Sequence, residues 1–175
     1  MACSRSTVVV PEVTPAEEAS PTLPLENASA EFAIYRVTEK VSAEDMIESD
    51  VVDLRLDDTP FIAADEIMAY TWETHELILT GAAYRRLSKL EGLALQDPGL
   101  PFVACVGDEP IYGGMLWTSL SSASFGGILI DLYPAAQECP LSIQAGYPSP
   151  DWFTGEDLRA DPRIHEALEA AGKLQ

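Results

Sequence analysis

The chain has 175 residues, 47% of them apolar, and carries 29 acidic against 10 basic side chains for a formal net charge of −19. Nucleic-acid phosphates and anionic lipid headgroups would be repelled at every approach, which argues against both as direct partners. The length suits one domain with a tail, sufficient to bury a core without a metal or a disulfide, and no run approaches the ~18 apolar residues of a membrane span.

The charge is uneven. Residues 31–80 hold 13 acids and 3 bases, whereas 81–175 hold 12 and 6. A solvated, solubilising surface accounts for this, with a divalent-cation surface as the sharper alternative.

Residues 1–30 read as a Pro/Thr/Glu-rich tether. Pro11, Pro15, Pro21 and Pro24 remove backbone donors and bias their predecessors toward extended conformations, while Thr, Ser, Ala and Glu between them bury too little to offset ordering entropy. The opening Ala2-Cys3-Ser4 resembles the junction of a bacterial lipoprotein signal peptide, where the cysteine is lipidated. That likeness implies an extracytoplasmic protein held on a membrane by lipid on Cys3, with the basic and apolar parts of the signal lying upstream of Met1. The other cysteines, Cys105 and Cys139, are candidates for a disulfide outside the cytoplasm; the alternative is a buried free thiol at Cys105. Asn27-Ala28-Ser29 matches a glycosylation sequon, which has no meaning in a bacterial source.

Residues 31–175 are predicted to form a single domain. Phe32–Val37 has strand composition, and Ser42 is placed to cap one helical turn over 43–48. In Val51–Leu56 the alternation of Val52, Leu54 and Leu56 predicts a half-buried strand. Ile67–Trp72 and Glu76–Thr80 read as a hairpin, followed by a helix from Gly81 with Thr80 as its cap and an apolar stripe of Ala83, Leu87, Leu90 and Ala94. Arg85, Arg86 and Lys89 fall on the opposite side.

Further on, Phe102–Val106 predicts a buried strand, a turn at Gly107–Pro110 leads into its partner Ile111–Trp117, and Gly113-Gly114 suggests a bulge or a close backbone approach. Strands over 127–133 and 141–145 follow the polar loop Ser119–Ser124. The last helix runs from Asp161 to Gly172, with Pro162 in its first turn and Ile164, Leu168 and Ala171 as its apolar stripe. The expected class is α+β: one antiparallel sheet, linked by hairpins rather than crossovers, with helices packed on one face.

Residues 62–130 carry a family resemblance. Ala64-Asp65-Glu66-Ile67, the strand ending Ile78-Leu79-Thr80, the helix opening Gly81-Ala82-Ala83-Tyr84, the run Pro101–Gly107 with Pro110-Ile111-Tyr112, and Ser119–Ser124 leading to Gly126-Gly127-Ile128 together resemble the head subdomain of the first periplasmic domain of SecD. Glu66 intervenes between Asp65 and Ile67, and Gly107-Asp108 reverses the family's Asp-Gly order. The resemblance implies an extracytoplasmic, non-enzymatic head-like module and transfers no catalytic residue.

Chemical motifs point the same way. His75 beside Glu73 and Glu76, and the run Asp50, Asp53, Asp57, Asp58, read as solvated surface rather than metal ligands, because neither has the spacing of a converging site; His165, followed by Glu166 and Glu169, reads as a helix-surface hydrogen bond, with a cation held by the i, i+4 pair as the alternative. No Gly-x-Ser-x-Gly elbow or phosphate-cradling loop is present in the sequence, and nothing calls for a cofactor. The aromatic residues Tyr112, Trp117, Phe125, Tyr147, Trp152 and Phe153 are candidates for a peptide or glycan surface, the alternative being that they cap the core. The expected function is a non-catalytic binding or interaction domain in the cell envelope, with an envelope protein, peptide or glycan as partner. A hydrolase with an unrecognised site is the alternative, and a homo-oligomeric structural protein a third.

Overall fold

A computed structural model describes residues 30–94, 99–133 and 139–175; the expected tether and Cys3 lie outside these, apart from Ala30. Seven strands form one sheet: β1 (Phe32–Arg36), β2 (Ile67–Thr71), β3 (Glu76–Leu79), β4 (Leu100–Val106), β5 (Glu109–Trp117), β6 (Phe125–Asp131) and β7 (Leu141–Tyr147). Among the described residues three α-helices accompany them: α1 (Ala43–Glu48), α2 (Gly81–Ala94) and α3 (Pro162–Ala170). The spatial order is β1-β4-β5-β6-β7-β3-β2. Every pairing is antiparallel except β5 with β6. This is the expected α+β class.

Strand alternation divides the core. Phe102 and Ala104 point to one face of β4, Val103 and Cys105 to the other. The larger cluster includes Phe32, Ile34, Leu77, Phe102, Leu116 and Ile130, and is covered by Ala83, Tyr84 and Leu87 of α2 and by Ile164, Ala167 and Leu168 of α3. Each such large apolar side chain contributes about 1.5–3 kcal/mol on burial. The smaller cluster on the opposite face includes Met46, Met115, Trp117, Phe125 and Leu129. The two longer helices therefore share a face, as expected, while short α1 covers the other.

Local signals explain most helix ends. Ser42 Oγ accepts from the Asp45 amide at 3.1 Å, Thr80 Oγ1 from Ala83 at 3.3 Å, and an Asp161 carboxylate oxygen from Arg163 at 2.9 Å. Gly172 follows α3 in the left-handed region at φ +66°.

Three expectations are corrected. Residues 51–56 are not a strand: Asp50 Oδ1 accepts from the Val52 amide and draws Val51–Asp53 into a 3₁₀ turn, leaving Val52 69% exposed. Only Leu56 pairs, as an isolated bridge to Val37. The connection of β5 to β6 is a crossover, not a hairpin: residues 118–124 carry the chain back so that the strands run parallel, from Gly114 opposite Ile128 to Trp117 opposite Asp131. Tyr147 clamps this short return by donating to the carbonyls of Ser119 and Ser121 at 2.9 and 3.2 Å. Ala171, finally, is exposed, and Ala167 takes its place on the buried stripe.

Candidate functional site

Most of the aromatic residues nominated as a surface lie inside. Tyr112, Trp117 and Phe125 are buried, with Tyr112 in the larger cluster and the other two in the smaller. Trp117 stacks on Phe125 with centroids 5.5 Å apart and meets Tyr147 at 5.9 Å. Phe153 packs against the larger cluster, and Trp152 alone of the six is strongly exposed, at 52%. The sheet separates Tyr112 from Trp117 and Phe125 because β5 alternates between faces, so these residues cap the core rather than form one groove.

The proposed Cys105–Cys139 bridge is not formed; both are free thiols, Cys105 buried and Cys139 exposed. Cys105 belongs to the smaller cluster, whereas the Cys139 carbonyl accepts from Tyr84, on the helix covering the opposite face. Burial, reinforced by the charge of Asp108, pushes the Cys105 thiol up to about 11, which keeps it protonated and a poor nucleophile.

Among the described residues, Arg36, Arg55, Arg86, Arg159 and Arg163 pair with carboxylates. Arg159, whose side chain is only 16% exposed, donates from Nε and Nη2 to the two oxygens of Asp157 at 2.8 and 2.7 Å, and from Nη1 to the Ile143 carbonyl at 2.8 Å. The hydrogen bonds from Arg159 hold the Asp157 carboxyl below its usual range. Nearby, the Tyr70 hydroxyl and His75 Nδ1 share a 3.0 Å hydrogen bond. Burial, then the Arg159 charge, lowers the His75 pKa below its ordinary 6.5. His75 also sits at φ +54°, which a turn imposes and which few non-glycine residues adopt. It is thus a partly buried turn residue bonded to tyrosine, not the solvated one expected. Arg86, expected on a solvent-facing side, instead clamps Glu66 with Nη1 to Oε1 at 2.8 Å and Nη2 to Oε2 at 2.6 Å. Among the described residues, no group of three or more His, Cys, Asp or Glu is placed to hold a metal ion.

A concavity of about 1180 Å³ lies at the β1 edge of the sheet, between the β4–β5 turn and α3. Its floor is built from small side chains, Ala33, Ala63, Ala64, Ala167 and Ala170, so a ligand can come close to the backbone. Glu31, Asp108 and Glu109 line it, and among the described residues no basic side chain does. Arg163 pairs with Glu109 at 2.5 Å, leaving the Glu31 and Asp108 carboxylates without a described ion-pair partner. Gly107 at φ +59° makes the turn, and its amide donates to the Glu31 carbonyl at 2.8 Å, which brings these acids together. Sequence reasoning missed this site because its residues come from four separate segments and carry no motif; the Gly107-Asp108-Glu109 turn was its one legible part. Comparison with known protein families, curated proteins and solved structures returns no match.

Proposed function

We propose that the chain is a non-catalytic binding module of the bacterial cell envelope, tethered by lipid on Cys3, whose acidic groove takes an extended basic segment of another envelope protein. The groove carries this reading. A floor of alanines with carboxylates around it complements a polypeptide of small apolar residues flanked by lysine or arginine, and the net charge of −19 would speed its arrival. Among the described residues, no histidine, cysteine or serine lines the groove. The Ala2-Cys3-Ser4 junction and the proline-punctuated leader support placement outside the cytoplasm, and the likeness of residues 62–130 to the SecD head supports a role in protein contact rather than chemistry.

Selection from a random 12-residue peptide library on the immobilised domain tests the groove. Peptides rich in Lys or Arg beside small apolar residues are expected, with binding lost in Ala170→Trp and Asp108→Lys. A charge-neutral selection, or binding indifferent to both substitutions, would overturn the reading. The tether is tested separately by alkyne-palmitate labelling of the gene product expressed in bacteria with its upstream sequence: label lost in Cys3→Ala is expected, and an unlabelled wild type contradicts it.

A further inference from the structure

Tyr70 and His75 meet at the far edge of the sheet from the groove. Tyr70 is fully buried, and its hydroxyl makes one hydrogen bond among the described residues, to His75 Nδ1 at 3.0 Å. The hydroxyl hydrogen therefore goes to Nδ1, which fixes the neutral ring with its own proton on Nε2. The backbone holds the ring there as well. The His75 carbonyl accepts from the Ile143 amide at 3.0 Å, and the residue stands at φ +54°, a conformation that persists only where its surroundings impose it.

The same tyrosine carries a strap. Its amide donates to the Lys173 carbonyl at 2.8 Å and its carbonyl accepts from the Gln175 amide at 3.0 Å, so residues 173–175 run parallel to β2 along its outer edge. The strap is lightly held. Leu174 is only partly buried, and Gly172 before it turns at φ +66° with nothing within 4 Å of a Cβ position. A second contact reaches the helix that leads into the strap, since Trp72 meets His75 at 5.9 Å and His165 of α3 at 4.8 Å.

We propose that His75 is a proton-operated latch that releases residues 173–175 from the edge of β2. Protonation makes Nδ1 a donor, so the Tyr70 hydroxyl must turn its hydrogen away from its one described acceptor. The new charge also sits in a partly buried site. The Arg159 guanidinium opposes it, and Asp157 favours it, but both Asp157 oxygens are already engaged by Arg159. Of the other carboxylates, Glu76 accepts from Thr74 Oγ1 at 3.0 Å, and Glu169 lies 4.0 Å from His165. Burial and Arg159 together outweigh Asp157, so the closed latch keeps the ring neutral. An opened ring reaches water and titrates near its ordinary 6.5, so the strap is held above that pH and loosens below it. The strap yields first because it is the least buried part of this junction. The latch does not depend on what the acidic groove binds, so this inference goes beyond the proposed function and either can fail alone.

The test follows ¹⁵N-labelled full-length protein from pH 7.5 to 5.0 at fixed ionic strength. The population of the open strap, read by ¹⁵N saturation transfer at the Lys173 and Gln175 amides, should rise about tenfold over this range. Amides of β4 and β5 should not report the same exchange, which separates release of the strap from unfolding of the domain. H75N, which tolerates the backbone conformation and does not titrate, should hold the open population constant. H165Q removes the other imidazole on Trp72 and should keep the tenfold rise. A strap unchanged down to pH 5.0, exchange shared equally by β4 and β5, a rise that survives H75N, or one that is lost in H165Q would each overturn the inference.

Discussion

Trp72 and His165 meet edge to face with ring centroids 4.8 Å apart. His75 approaches the same indole at 5.9 Å, so both histidines of the chain stand on one tryptophan. His75 is in turn bonded to Tyr70, whose backbone amide donates to the Lys173 carbonyl at 2.8 Å and whose carbonyl accepts from Gln175 at 3.0 Å. The β2–β3 turn, α3 and residues 173–175 are thereby fastened at one point, and the outer edge of β2 is covered there.

This fastening gives stability a defined pH dependence. The folded pKa of His75 lies below its unfolded value of 6.5, so the unfolded chain binds the extra proton first and stability falls as pH drops below that value. Asp157, also lowered, adds a second loss as pH falls below its unfolded 3.8. Urea unfolding at pH 7.5 and 5.5 should show the wild type weaker at 5.5. His75→Asn, which tolerates φ +54° and does not titrate, should lose most of that difference. Equal pH sensitivity in the variant would contradict the assignment.

Local signals made much of this fold legible. Ser42, Thr80 and Asp161 announced three helix starts, and Gly107-Asp108 announced the β4–β5 turn, because each acts within a few residues of itself. What could not be read depends on remote contacts. Val51–Leu56 alternates like a strand, yet one hydrogen bond from Asp50 turns it. Residues 118–124 are short enough to suggest a hairpin, since a parallel return usually needs about a dozen residues or more. The direction of β6 follows instead from the Trp117–Phe125 stack and the Tyr147 clamp. The groove was illegible for the same reason: Ala33, Ala64 and Ala167 are far apart in sequence and chemically plain.

Arg86 links α2 to the turn before β2 through Glu66, which also accepts from the Ala63 amide at 3.1 Å. Replacing Arg86 by Ala should cost about 1–3 kcal/mol in urea unfolding, as for other charge-assisted hydrogen bonds. Lys at this position should recover only part of it, because a single ammonium cannot reproduce the fork. Full recovery by Lys would show that charge alone matters.

Two glycines should respond to a methyl group in the same direction but to different degrees. A Cβ on Gly114 would meet the Ile128 carbonyl oxygen at 2.4 Å and the Phe102 ring at 2.6 Å, with backbone on one side unable to yield. Gly114→Ala should cost about 3 kcal/mol or more. Gly155 has nothing within 4 Å of such a Cβ, so only its φ of +110° opposes alanine, at about 1–2 kcal/mol. Thermal unfolding of the two variants ranks them.

Thiol labelling separates the two cysteines of the domain. In a Cys3→Ala background the exposed Cys139 should react at once in the native protein, and Cys105 only after unfolding. In unreduced, denatured protein both should react. Failure of both to react there would mean that they are paired.

The binding role is tested most directly by titrating a lysine- and alanine-rich peptide into ¹⁵N-labelled protein, with the matching glutamate-for-lysine peptide as control. The account predicts saturable amide shifts confined to Ala33, Val106–Glu109 and Ala167–Ala171 for the basic peptide and none for the acidic one. Shifts dispersed over the whole acidic surface, or equal response to both peptides, would contradict it.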